Sequence, residues 1–97
     1  MKTLFVIVSD PRTSHRPAEA IRIAAGVSAW KKVEVNVYLY GEAVRVLEES
    51  ADDLVDEEHL TRYLPLLREG GAKLHAHKGD EKELARIALE HSVVTWF

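Results

Sequence analysis

The run Thr3-Leu4-Phe5-Val6-Ile7-Val8 constrains this chain more than any other stretch. It has no polar face. A segment of this kind belongs in a strand buried on both sides, the habit of central strands in parallel sheets. The strand is expected over about Thr3–Ser9. The polar turn Ser9–Arg16 follows, and a helix then starts near Pro17. Proline is favoured in a first helical turn, and it forces the residue before it, Arg16, toward extended geometry. In the helix, Ala20, Ile21, Ala24, Val27 and Ser28 share one face at helical spacing. Ile23, Ala25 and Trp30 make a second apolar flank. A helix apolar over so much of its girth needs an extra neighbour, either another helix or another subunit.

The remainder continues the alternation of strands and helices. Val33–Tyr40 alternates strictly, with Val33, Val35, Val37 and Leu39 between Glu34, Asn36, Tyr38 and Tyr40. Strict alternation implies one buried face and one wetter face, which fits an edge strand. Gly41 ends it. Glu42–Glu49 is a short helix, and Ser50–Asp53 a polar break. Asp56–Glu69 is helical again, with Leu60, Tyr63, Leu64 and Leu67 on one face. Pro65 predicts a kink there, or a new helix starting at the proline. Gly70-Gly71 is a helix stop. A third strand follows at Ala72–Ala76. Asp80 and Glu83 form a variant capping box before a helix carrying Leu84, Ile87 and Ala88 inward. Val93–Phe97 is a last strand. The order β-α-β-α-α-β-α-β predicts one α/β domain over residues 1–97. It is a small three-layer flavodoxin-like sandwich with a parallel sheet of about four strands. The simplest strand order is 2-1-3-4, with the second strand at an edge.

Composition narrows the function. The chain has 97 residues and a formal net charge of −3, so the basic footprint of a nucleic-acid binder is missing. It contains 0 cysteines, which excludes disulfides, thiolate nucleophiles and cysteine-ligated metals. Thr3–Val8 is too short for a membrane span, and a cytoplasmic protein is expected. No Walker loop or Gly-x-Gly-x-x-Gly occurs, and no serine has a histidine and carboxylate at triad spacing. Thr13-Ser14 is only faintly like a flavodoxin's phosphate loop, so no cofactor is expected.

Open α/β sheets bind ligands at the carboxyl ends of their strands. With the order 2-1-3-4, that edge gathers Asp10, Arg12, Ser14, His15 and Arg16 from the first turn. Gly41 comes from the second turn, and His77, Lys78 and Gly79 from the third. Helix starts at Pro17 and Asp80 would add free N–H groups, so a small anion or a partner fits there. Asp10, His15, His77 and Lys78 could alternatively supply acid–base and anion-holding groups for an enzyme or ligand-binding protein. His75 and His77 lie two apart on one strand, a spacing that suits two imidazole ligands to zinc or nickel. His59 and His91 fall on helices and are expected to be solvated. Trp96 and Phe97, with Trp30, Tyr38 and Tyr40, are expected to contribute to a subunit interface.

At pattern level the chain resembles the DsrE/DsrF/DsrH superfamily, the small YchN-like proteins of bacterial and archaeal sulfur relay. The likeness rests on Leu4–Val8, the helix Ala18–Trp30 and Val35–Val44, the last similar to the family's V-x-V-F-L-x-G-D-A-V strand and turn. Gly70–His77 is similar to its G-V-K-V-Y-V-C strand, and Leu84–Phe97 looks most like the DsrH (TusB-like) branch. The resemblance covers nearly the whole chain. It implies a flavodoxin-like fold and assembly into dimers, trimers or hexamers, with itself or with other DsrE-family subunits. In active members it implies a persulfide on a cysteine after strand three. His77 stands at or beside that cysteine's position, so covalent sulfur carriage is not available to this chain. DsrH-like subunits can act without such a cysteine, as structural partners. The expectation is therefore a non-catalytic, oligomeric DsrE-like protein.

Overall fold

The computed structural model describes residues 2–47, 54–77 and 81–97. In chain order the elements are β1 (Lys2–Ile7), α1 (Arg16–Trp30), β2 (Glu34–Tyr40) and a 3-10 helix (Gly41–Leu47). They continue with α2 (Glu57–Glu69), β3 (Lys73–His77), α3 (Glu81–Leu89) and β4 (Val93–Trp96). The strands form one parallel sheet in the order β3-β2-β1-β4.

The α/β class, the parallel sheet and the central place of β1 agree with the sequence. The order 2-1-3-4 does not: β2 is an interior strand, and β3 and β4 are the edges. The reason lies in the polar half of β2. Asn36 is 5% exposed and Tyr38 is 0% exposed, so the face expected to be wet is buried. Tyr38 supplies apolar bulk to a second core with Leu4, Val6, Leu84 and Ile87. Asn36 is satisfied by a neighbour, its Oδ1 lying 3.4 Å from Nε2 of His75 on β3. Alternation there records two chemically different cores, not one core and water.

The two cores follow from crossover handedness. The steps β1 to β2 and β2 to β3 go the same way along the sheet, so right-handed crossovers put α1 and α2 on one face. There they pack together over Phe5, Ile7, Val35, Val37 and Leu39. The step to β4 reverses direction, and α3 covers the other face. Of the second apolar flank expected on α1, Ala25 and Ile23 pack into the core shared with α2, whereas Trp30 stays exposed. Helix α2 carries Pro65 within it and does not restart there. Pro65 is exposed, so water can serve the carbonyl that loses its partner. The expected end of the short helix, the break at residues 50–53 and the cap at Asp80 lie outside the described residues. Among the described residues, no helix is long and apolar enough to cross a membrane.

Gly70, just past the end of α2, lies close against Ser28 of α1. A Cβ there would lie 2.2 Å from Ser28 Oγ and 3.0 Å from Ser28 Cβ. Gly70→Ala is expected to destabilise the protein by about 2 kcal/mol through overpacking. Combining it with Ser28→Gly should recover about half of that, measured as coupling in a urea-denaturation double-mutant cycle. Additive losses would mean the two residues do not meet.

Candidate functional site

Viewed from the carboxyl edge, the strand ends line up as His77, Gly41, the β1 turn and then Trp96-Phe97. This changes the expected grouping. With the order 2-1-3-4 the first and third turns would lie side by side. Instead β2 stands between β1 and β3, which sets those strands two spacings apart, about 10 Å. The difference follows directly from the burial of Tyr38 and Asn36 that made β2 an inner strand. The register pairs His77 with Tyr40. Its side chain, together with Lys78 and Gly79, lies outside the described residues.

In the first turn, Asp10 organises the backbone. Its carbonyl accepts from the N–H groups of Thr13 (3.2 Å) and Ser14 (2.9 Å). Its carboxylate accepts from the Arg12 N–H (2.9 Å) and from the guanidinium through Nε (3.1 Å) and NH2 (2.8 Å). Ser14 Oγ accepts the Arg16 N–H at 3.1 Å, so it helps to cap α1. His15 is exposed and its Nε2 lies 3.7 Å from a Glu19 carboxylate oxygen. Pro11 is buried, and its carbonyl accepts the Val55 N–H at 2.8 Å.

The charges continue onto the second turn. Arg12 NH2 lies 3.5 Å from Glu42 Oε2, and the same oxygen accepts from Arg45 Nε. Asp10, Arg12, Glu42 and Arg45 thus alternate in sign across the ends of β1 and β2. An incoming anion would have to compete with two carboxylates for Arg12. Gly41 precedes this cluster with φ of +64°, a left-handed conformation that glycine adopts without strain. Its role in the turn is conformational. Sequence reasoning missed Glu42 and Arg45. Their i, i+3 spacing was a local signal, but the link to Arg12 needs the β1–β2 pairing.

These hydrogen bonds set the acidity of Asp10. The Arg12 side chain, then its N–H, stabilise the carboxylate and lower its pKa from 3.8 to about 2. Glu42 is also lowered, chiefly by its hydrogen bond to Arg45. Because the folded-state value for Asp10 is depressed, its stabilising contribution is present above the unfolded value. That contribution is lost as pH falls through the folded value. NMR titration should therefore find Asp10 still ionised at pH 3, and Arg12→Gln should move its midpoint back toward 3.8. An unchanged midpoint would show that Arg12 does not hold the carboxylate.

Strand order reverses between β1 and β4, and such a switch point is where open sheets leave a ligand crevice. Here Phe97 covers it on the α1 side, while on the α3 side an apolar pocket remains between Val8, Tyr40, Leu84, Ala88 and Trp96. The Phe97 oxygen accepts from the N–H groups of Val8 (3.2 Å) and Ser9 (3.3 Å) and from Ser9 Oγ (2.9 Å). The Phe97 ring lies 6.0 Å from that of Phe5. Arg16 closes over the top. Its guanidinium carbon is 5.9 Å from the Phe97 ring centroid, and NH2 donates to the Trp96 carbonyl at 3.3 Å.

On the other face, the His75 ring lies 6.3 Å from that of Tyr38, besides its contact with Asn36. Among the described residues, no three His, Cys, Asp or Glu side chains gather as a metal site. His91 was expected to be solvated and is only partly so. Its Nδ1 lies 2.7 Å from the Ile87 carbonyl, and Nε2 is buried with no partner among the described residues. His59 is exposed, as expected, and sits edge-on to Tyr63.

The fold is thus a three-layer α/β sandwich of flavodoxin-like type, with Phe97 laid across the α1 side of its switch point. The solved structure of the YchN protein from E. coli matches it with a TM-score of 0.77, over 100% of this chain and 99% of that one, at 17% sequence identity. The likeness establishes the shared fold. No protein-family model and no curated protein matches the chain.

Proposed function

We propose that this chain is a non-catalytic, cytoplasmic DsrE-like protein. It assembles with copies of itself or with DsrE-family subunits associated with sulfur relay. The carboxyl edge of its sheet is the surface for a partner or a small anion. The observation that carries this reading is the covered α1 side of the switch point. Phe97 and Arg16 lie across the place where a sheet of this type would admit a substrate on that side. The sequence offers no cysteine to take up sulfur. The similarity to YchN in fold supports the family assignment. Between anion and partner, the pairing of Arg12 with Asp10 and Glu42 favours a partner. Large apolar side chains left exposed, including Trp96 at 54%, support assembly. Native mass spectrometry of the untagged protein from its own host tests the proposal. The expected species are multiples of the 10.9 kDa chain, alone or with other subunits of the family. A bare monomer that captures no such subunit would end it.

A further inference from the structure

The sheet's two edges are built differently. β3 begins with Lys73 and carries His75 and His77, whereas β4 is Val93-Val94-Thr95-Trp96, with no charge, proline or glycine. Exposed edge strands in proteins that stay apart are normally blunted by lysine, proline or a bulge. β4 has none of these, pairs only with β1 among the described residues, and leaves Val93, Thr95 and Trp96 exposed.

Its backbone specifies a partner. Phe97 turns both polar groups toward β1, its N–H donating to the Val6 carbonyl at 2.8 Å and its oxygen accepting from Val8. Alternation then turns the N–H and C=O groups of Val94 and Trp96 outward, the Trp96 carbonyl accepting from Arg16 with one lone pair and keeping its second for a partner. The Ser92 N–H is taken by the Lys2 carbonyl at 2.9 Å. From this pattern we infer that β4 pairs antiparallel with β4 of a second copy, about a twofold axis at Thr95, joining two sheets into one. This deepens the assembly proposed above and rests on it.

This register pairs the outward groups of both Val94 and Trp96. Val94 exchanges both backbone hydrogen bonds with the partner's Trp96, and Trp96 does the same with the partner's Val94. Thr95 meets the partner's Thr95 as a non-hydrogen-bonded pair. On the α3 side, Val94 lies beside the partner's Trp96. On the other side, Val93 lies beside the partner's Phe97, so both faces match apolar with apolar. A one-residue slip would oppose side chains from different faces. A two-residue slip centred on Val94 would call on the Ser92 N–H, which Lys2 already holds.

A chain without cysteine allows a clean test. In a non-hydrogen-bonded antiparallel pair the Cα atoms are about 4.5 Å apart, within disulfide range. Thr95→Cys should therefore cross-link to a covalent dimer under mild oxidation, whereas Val94→Cys should cross-link at least about tenfold less. Val94→Pro removes an outward N–H without touching the β1 ladder. It should weaken the dimer about tenfold or more, by dilution-series native mass spectrometry, with circular dichroism unchanged. If the wild type assembles, but Thr95→Cys fails to cross-link and Val94→Pro leaves the assembly intact, the β4 interface is wrong and the assembly reading survives. If Val94→Cys cross-links in preference, the register is wrong. A wild type that remains monomeric at about 50 µM overturns both.

Discussion

Replacing Tyr38 with alanine is expected to cost about 4 kcal/mol of folding free energy, the usual range for deleting a buried aromatic side chain. Tyr38 is fully buried in the middle of an inner strand. It packs in the core formed by Leu4, Val6, Leu84 and Ile87, between the rings of Tyr40 at 6.5 Å and His75 at 6.3 Å. For a domain of this size the loss corresponds to roughly 20 °C in melting temperature. That is a large share of a total stability on the order of 5–15 kcal/mol. Tyr40, two residues on and only partly buried, is the control. Tyr40→Ala should cost about 1–2 kcal/mol. Urea denaturation of both variants checks the contrast. Equal losses would mean that the face beneath α3 is no better packed at Tyr38 than at the sheet's rim.

Removing Trp96 and Phe97 is the second large effect, expected at about 4 kcal/mol. The loss has two sources. The Phe97 oxygen and N–H take part in four hydrogen bonds with Val6, Val8 and Ser9, each contributing on the order of 1 kcal/mol net. The Phe97 ring is half-buried against Phe5 and under Arg16. The deletion would also leave the Val8 and Ser9 donors without these partners. Phe97→Ala keeps the backbone bonds and loses only the ring, so it should cost less than half as much. Thermal melts of the two variants separate the contributions. If the alanine variant is as unstable as the deletion, side-chain packing alone anchors β4. If the deletion is neutral, the Phe97 cover over the switch point is ornamental.

The sequence carried the secondary structure closely. The apolar run, Pro17, Gly41 and Gly70-Gly71 marked boundaries within a residue or two of those seen in β1, α1, β2 and α2. Those signals are local: a proline or glycine acts on its own turn. Strand order was not legible, because it depends on what covers each face. Tyr38 and Asn36 have the polarity of a wet face, and only contact with α3 and β3 reveals them as core. The candidate site suffered for the same reason. Asp10, Arg12, Ser14 and Arg16 do cluster in one turn. Their partners Glu42, Trp96 and Phe97 are brought in by the β1–β2 and β1–β4 pairings, which no spacing in the chain encodes. The work of Phe97 could be suspected from its size, but not its place in the crevice.

The pairing of β1 with β4 has a kinetic consequence. Thr3 Oγ1 donates to the Val93 carbonyl across 90 positions of chain, whereas β1 and β2 meet across a single helix. Closing so long a loop is entropically slow, so β4 is expected to join late. Until it does, the most apolar strand in the molecule keeps one side of its backbone unsatisfied. A half-folded chain in that state can recruit a foreign strand as readily as its own. Refolding yield should therefore fall steeply with protein concentration, and Arg16 and Ser9, which fasten Phe97, act as guards against aggregation as much as stabilisers of the native state.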